Sequence, residues 1–256
     1  MKDFLVMKGE ERKQEFQNGL SRQVLLAESN KDVKIYRCIL EAGCRLDPEL
    51  FALDDRLQMF FFIQPTGYVA TKNKAWNITE QAAFVPNFNK EVFWFEAGES
   101  DLEFIHICGQ MNEWDVENYI DYHIITPRFK KVSEGMSYRE YHSGNAGSGI
   151  ESRFLVEDTA CGRWNLGIQS GIGPDFVGNH SHDELDQWTY VLPGSEFSYF
   201  VDGQKFSAKE GDLIYIPKGM VHSIQAEIGK GIHYLWLKLA TDGFSIGRDG
   251  YPGSEK

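Results

Sequence analysis

Three histidines stand at spacings that suit a metal ion. His180-Ser181-His182 is followed after four residues by Gln187 and after six more by Gly194. A second block runs Gly211, five residues, Pro217-Lys218-Gly219, two residues, then His222. Alternate residues of a strand face the same way, so His180 and His182 point to one side of a sheet. The glycine and proline turns return the chain, so that His222 on a later strand faces them. Three imidazoles and one oxygen ligand suit a divalent transition metal (Mn, Ni, Zn or Fe) with positions open to substrate. Asp183, Glu184 and Asp186 form an acidic loop beside this cluster, and Glu184 and Asp186 are the candidate general acid or base.

Strands must position these residues. Short runs rich in aromatic and β-branched residues recur at 59–63, 92–95, 102–107, 188–192, 197–201, 213–216 and 232–239, separated by Gly, Pro, Asn or Asp. That is the all-β pattern, and strands so spaced close into barrels or sandwiches that hide their edges. Helical periodicity occurs only near the start, about 9–27, and around Glu113–Ile120. With 42% apolar and 14% aromatic residues the chain is globular. Its formal charge of −12 argues against nucleic acid or an anionic membrane as partner. Cys38, Cys44, Cys108 and Cys161 form no C-x-x-C pair. No apolar run is long enough for a signal peptide or a membrane span, and the expectation is a soluble, reduced, cytoplasmic protein.

The stretch Thr126 to Gly149 ends in a run of glycine, serine and asparagine and divides the chain into similar halves. The expected organisation is a barrel over 1–126, a linker over 127–149, a second barrel over 150–245 and a tail over 246–256. The halves align internally: Gln187 falls on Gln58, Tyr190-Val191-Leu192 on Phe61-Phe62-Ile63, and Pro217 on Pro86. In that alignment the three histidine positions become Phe51, Leu53 and Glu91, which cannot hold a metal. The first barrel is then a structural partner without a metal site, and Gln58 a relic or a core polar group.

The two histidine blocks resemble the paired motifs of the cupin superfamily, G-x5-H-x-H-x3,4-E-x6-G and G-x5-P-x-G-x2-H. The resemblance implies two tandem jelly-roll barrels, a bicupin, with one metal held by His180, His182, His222 and a fourth ligand. Counting back from Gly194 replaces the usual glutamate by Gln187, whereas the shorter spacing selects Asp186. Ala226 stands where an asparagine often follows the second-block histidine. A glutamine ligand is neutral and leaves the dipositive charge on the metal, which favours polarising a carbonyl and binding anions. Among cupins, three histidines and a glutamine resemble the site of small proteins that linearise unsaturated uronates.

Three functions follow as expectations. The first is an isomerase or lyase acting on a sugar or sugar acid, with an acidic residue of the 183–186 loop moving the proton. The second is an iron-dependent dioxygenase, and the third a metal-anchored binding protein without turnover. The substrate is a small oxygen-rich or anionic molecule, and exposed barrel edges suit a homodimer. Other residues carry bland readings. His106 is a satisfied core histidine, and His123 and His142 are exposed; Cys161 is a buried thiol or a reactive one near the pocket, and Arg163 and Trp164 are surface residues or hold an acidic or sugar substrate. In the last strand either Tyr234, Trp236 and Lys238 or His233, Leu235 and Leu237 face the metal.

Overall fold

The computed structural model describes residues 3–11, 14–139, 142–144 and 148–243. The chain is mostly strand and divides into two compact units. One contains Glu11–Glu134, and the other joins the residues up to Glu10 to those from Gly135 onward. Each unit is a double-sheet jelly roll of seven and four strands, and the pairings between its strands are antiparallel apart from an isolated parallel bridge at Ser195–Gly231. No helix is long and apolar enough to cross a membrane among the described residues. No disulfide joins the four cysteines.

The strands that matter for the site are β1 (Leu5–Met7), β2 (Val33–Leu40), β3 (Arg56–Phe62) and β4 (Leu102–Gln110), then β5 (Glu151–Cys161) and β6 (Trp164–Ile172). They continue as β7 (Asp175–His180), β8 (Leu185–Val191), β9 (Glu196–Val201), β10 (Leu213–Ile216), β11 (His222–Ala226) and β12 (Gly231–Ala240). Every apolar run expected as a strand is one, to within a few residues at its ends.

The start of the chain differs from expectation. In place of a helix over 9–27 there is a single 3-10 turn at Gly9–Glu11 and a hairpin of Phe16–Gln17 with Leu20–Leu25. Asn18 and Gly19 both take positive φ, the conformation that a two-residue hairpin turn requires. That local signal outweighs a weak helical periodicity. The one α-helix among the described residues, Glu113–Asp121, lies where it was expected. Asn112 caps it reciprocally with Asp115, each side chain bonding the other's backbone N–H.

The expected linker over 127–149 is also structured in part. Arg128–Lys131 pairs with Ala82–Val85 in the first unit, and Met136–Tyr138 pairs with β5 in the second. The division between units falls between these two edge strands. β1 adds to β10, so the first strand of the chain completes the sheet of the later barrel. Lys8 and the Gly9 N–H both bond Asp212, and Phe4 stacks on Phe206, which fixes this strap. The expected tail over 246–256 lies outside the described residues.

The first unit is filled by phenylalanines. Phe60, Phe62, Phe84, Phe93, Phe95 and Phe104 are fully buried in one cluster, many in edge-on contact. The second unit buries smaller side chains, including Val177, Val191, Val201, Ile224 and Ile232, around a few large rings.

Candidate metal centre

The three candidate histidines gather in the second barrel. His180 ends β7 and His222 opens β11, and the two are direct partners across the sheet, beside a bulge between Val177 and His180. His182 lies just past the end of β7 rather than on it. The candidate ligand atoms of all three lie within 4.8 Å of one another, and their ring centroids are 4.2–5.4 Å apart. Backbone ties hold both motif blocks in place. The turn Pro217–Met220 passes through Gly219, whose φ of 83° glycine alone accepts cheaply, and the Gly219 N–H donates to the His182 carbonyl at 2.9 Å.

Two of the imidazoles have one ring nitrogen tied to a backbone carbonyl. His180 Nδ1 is 2.8 Å from the Gly178 carbonyl oxygen and His222 Nδ1 is 3.1 Å from that of Met220. A proton held on Nδ1 by a carbonyl leaves the Nε2 lone pair for a metal. His182 Nε2 and His222 Nε2 are buried with no hydrogen-bond partner, an expensive state for a polar atom unless something binds it. Burial, the Lys238 charge and the other two histidines hold His182 well below the usual imidazole range. Burial first, then His180, pulls His222 down to about 3. Both rings are thus neutral near pH 7, as metal ligands must be.

Gln187 is buried on β8 and lines the same cleft. Its Nε2 donates to Thr189 Oγ1 at 3.3 Å, and Thr189 Oγ1 is 3.3 Å from the Tyr199 hydroxyl. Anchoring the nitrogen leaves the amide oxygen as the donor atom beside His182. Asp186 points the other way, because neighbours on a strand face opposite sides. It is buried, accepting the Tyr215 hydroxyl at 2.9 Å and the Lys218 N–H at 3.0 Å. Its role is to hold the 217–219 turn, and the structure does not bring it to the imidazoles. Asp183 and Glu184 are exposed, and neither lines the cleft. The carboxylates expected to move a proton are therefore not brought to the cluster.

The last strand resolves the choice left open by the sequence: Tyr234, Trp236 and Lys238 line the cleft. His233 lies on the opposite face, where burial lowers its basicity. Trp236 is seated flat against Gly167, where any Cβ would meet the indole at 2.0 Å. Arg163 and Trp164, expected at the surface, are both buried, and Arg163 bonds the Thr241 carbonyl. Cys161 and His106 are buried as expected, and His123 is exposed.

His142 is the residue that the sequence reading missed. Expected to be exposed, it is half-buried, with its ring stacked on His180 at 4.8 Å between centroids and 7° between planes. Its carbonyl accepts the Gly178 N–H, and Ser143 bridges to Val177, so this segment runs beside β7. Nothing in its own sequence context marks it, since only the pairing with β7 places it there.

His180, His222, Gln187 and Lys238 thus line one cleft, and His182 lies against the two imidazoles. Three imidazoles and one amide oxygen are a donor set that fits a single divalent transition metal with coordination positions left open.

Comparison with known proteins agrees with this architecture. Residues 166–244 match the model of the AraC-like ligand binding domain. No curated protein matches the chain. Among solved structures, protein YlbA from E. coli superposes with a TM-score of 0.70 at 13% identity, over 93% of this chain and 90% of that one. A protein from Pseudomonas aeruginosa described as glyoxylate-induced gives 0.71 at 11% identity, over 93% and 90%. Oxalate decarboxylase from Lactobacillus farciminis, solved as a formate complex, gives 0.69 at 10% identity, over 92% and 86%. These likenesses show the fold: two tandem cupin jelly rolls.

Proposed function

We propose that the second barrel is a metal-dependent enzyme site, acting as an isomerase or lyase on a small sugar or sugar acid. The proposed ligands are His180, His182, His222 and the Gln187 amide oxygen. The observation that carries this reading is the pair of buried, unpartnered Nε2 atoms on His182 and His222, beside His180 and an amide whose nitrogen is already engaged. A divalent ion held there would act as a Lewis acid on a chelated oxygen substrate. The chain's own residues hold that arrangement in place. The carbonyls of Gly178 and Met220 keep His180 and His222 in the ligating tautomer. Thr189 orients the amide. Trp236 and Tyr234 give the cleft apolar walls that limit water.

We also propose that the first barrel has no metal centre. Gln58, the counterpart of Gln187, spends its amide on His106 Nε2 at 2.9 Å and on the Glu49 carbonyl at 2.7 Å. Phe51 and Leu53 offer no donor, and Glu91 accepts from Asn73.

A decarboxylating or redox reaction is the second reading, favoured by the likeness to oxalate decarboxylase. Elemental analysis of protein purified without added metal or affinity tag tests both. Stoichiometric manganese, nickel or zinc, with solvent deuterium entering a bound sugar acid and no oxygen uptake, supports the isomerase or lyase. Bound iron with oxygen consumption moves the site to a dioxygenase. No metal after incubation with each divalent ion sinks the metal centre itself.

A further inference from the structure

Lys238 is the one charged side chain among the described residues that line the cleft. It lies on β12 in register with Gln187 on β8, so the two side chains project from adjacent strands onto the same face. Its ammonium is 5.0 Å from the centroid of the Trp236 ring, which supports its stem at the wall of the cleft. Asp158 on β5 is a carboxylate that feels it. Burial raises the Asp158 acid, while a hydrogen bond from Asn165 and the Lys238 charge work the other way. Asn165 is itself the β6 partner of Lys238, so these polar groups form one row across the sheet.

Charge then decides what the cleft accepts. None of the proposed ligands is a carboxylate, so a divalent ion would keep its two positive charges and Lys238 would bring a third. Even with Asp158 ionised, the pocket stays net positive in a half-enclosed site where water screens poorly. A neutral sugar leaves that charge uncompensated, and an anion with two oxygens in reach of the ion does not.

We infer that Lys238 is a specificity-determining residue that binds the carboxylate of a 2-hydroxy or 2-keto acid beside the metal. This rests on the metal-centre reading and sharpens it, selecting an acid over a neutral sugar. Lysine suits the task as a compact point charge on a long stem, and arginine offers a similar charge with a fork.

The test titrates glycolate, and its neutral isostere glycolamide, into Mn²⁺-loaded protein, with metal content measured on the same samples. Lys238→Gln should keep the metal and weaken glycolate about tenfold, leaving glycolamide within about twofold, as expected for loss of one charge-assisted contact. Lys238→Arg should restore most of the glycolate affinity. Equal weakening of both ligands, or no change in either, overturns the role of Lys238 while leaving the metal centre standing. Failure of the parent protein to take up Mn²⁺ or any other divalent ion overturns the metal centre, and this inference with it.

Discussion

In the second barrel Gln187 and Tyr190 pair with Lys238 and Leu235; in the first, Gln58 and Phe61 pair with Cys108 and Ile105. The two ladders run in the same register, yet they enclose different things. Around Gln187 there is an open cleft lined by His180 and His222, with His182 beside them. Around Gln58 the space is filled. His106 takes the position of Trp236, stacks on Phe60 at 4.3 Å and bonds Gln58, with Cys108 Sγ 3.1 Å from its Nε2 and Arg22 against its Nδ1. One scaffold can thus spend its interior on packing or on polar groups that converge. A side chain that packs well cannot also leave a donor atom waiting for a ligand.

The sharpest way to break this contrast is His182→Ala. Metal affinity should fall more than about 100-fold, since outer contacts alone are worth 10–100-fold. The metal-free protein should keep its unfolding midpoint, because the core residues are untouched. Unchanged metal content by elemental analysis would end the distinction between the barrels.

Phe60→Ala is the reverse experiment. Phe60 is 1% exposed and touches Phe84, Phe93, Phe95, Phe104 and His106. Its loss should cost about 3–5 kcal/mol in denaturant unfolding and leave the metal-to-protein ratio unchanged. A small cost would show that the first barrel is not the packed body described.

A smaller effect concerns acid. Burial, then Arg22, pulls His106 down to about 3, whereas the unfolded chain titrates near the usual 6.5. Between those values the unfolded state holds the extra proton, so stability falls as pH drops below about 6.5. From pH 6.5 to 5 the parent should lose up to about 2 kcal/mol more than His106→Asn, in paired denaturant titrations. Equal losses would mean that His106 is not the sensitive group.

The histidine motif and the strands were legible because each is written locally: fixed spacing, alternation and turn residues. The fourth donor was half legible. Gln187 and Asp186 are neighbours, and only the pairing of β8 with β10 and β12 shows which faces the cleft. The acidic loop misled because Asp186 looks equally acidic whether it meets substrate or holds the Lys218 N–H. The inward face of β12 was undecidable, since both of its faces are rich in apolar residues. His142 and the linker strands were invisible for a common reason: an edge strand is defined by what it pairs with, and short polar segments carry no periodicity of their own.

β1 gives the chain an order in time. During synthesis Leu5–Met7 leaves the ribosome long before β10 exists, and Lys8 lies 204 residues from Asp212. At 5–20 residues per second, the strap waits on the order of 10–40 s for its partner. The first barrel contains everything it needs and can close while the strap hangs free. The second barrel, begun by β1, is finished last, and its edge stays open until nearly the whole described chain has been made.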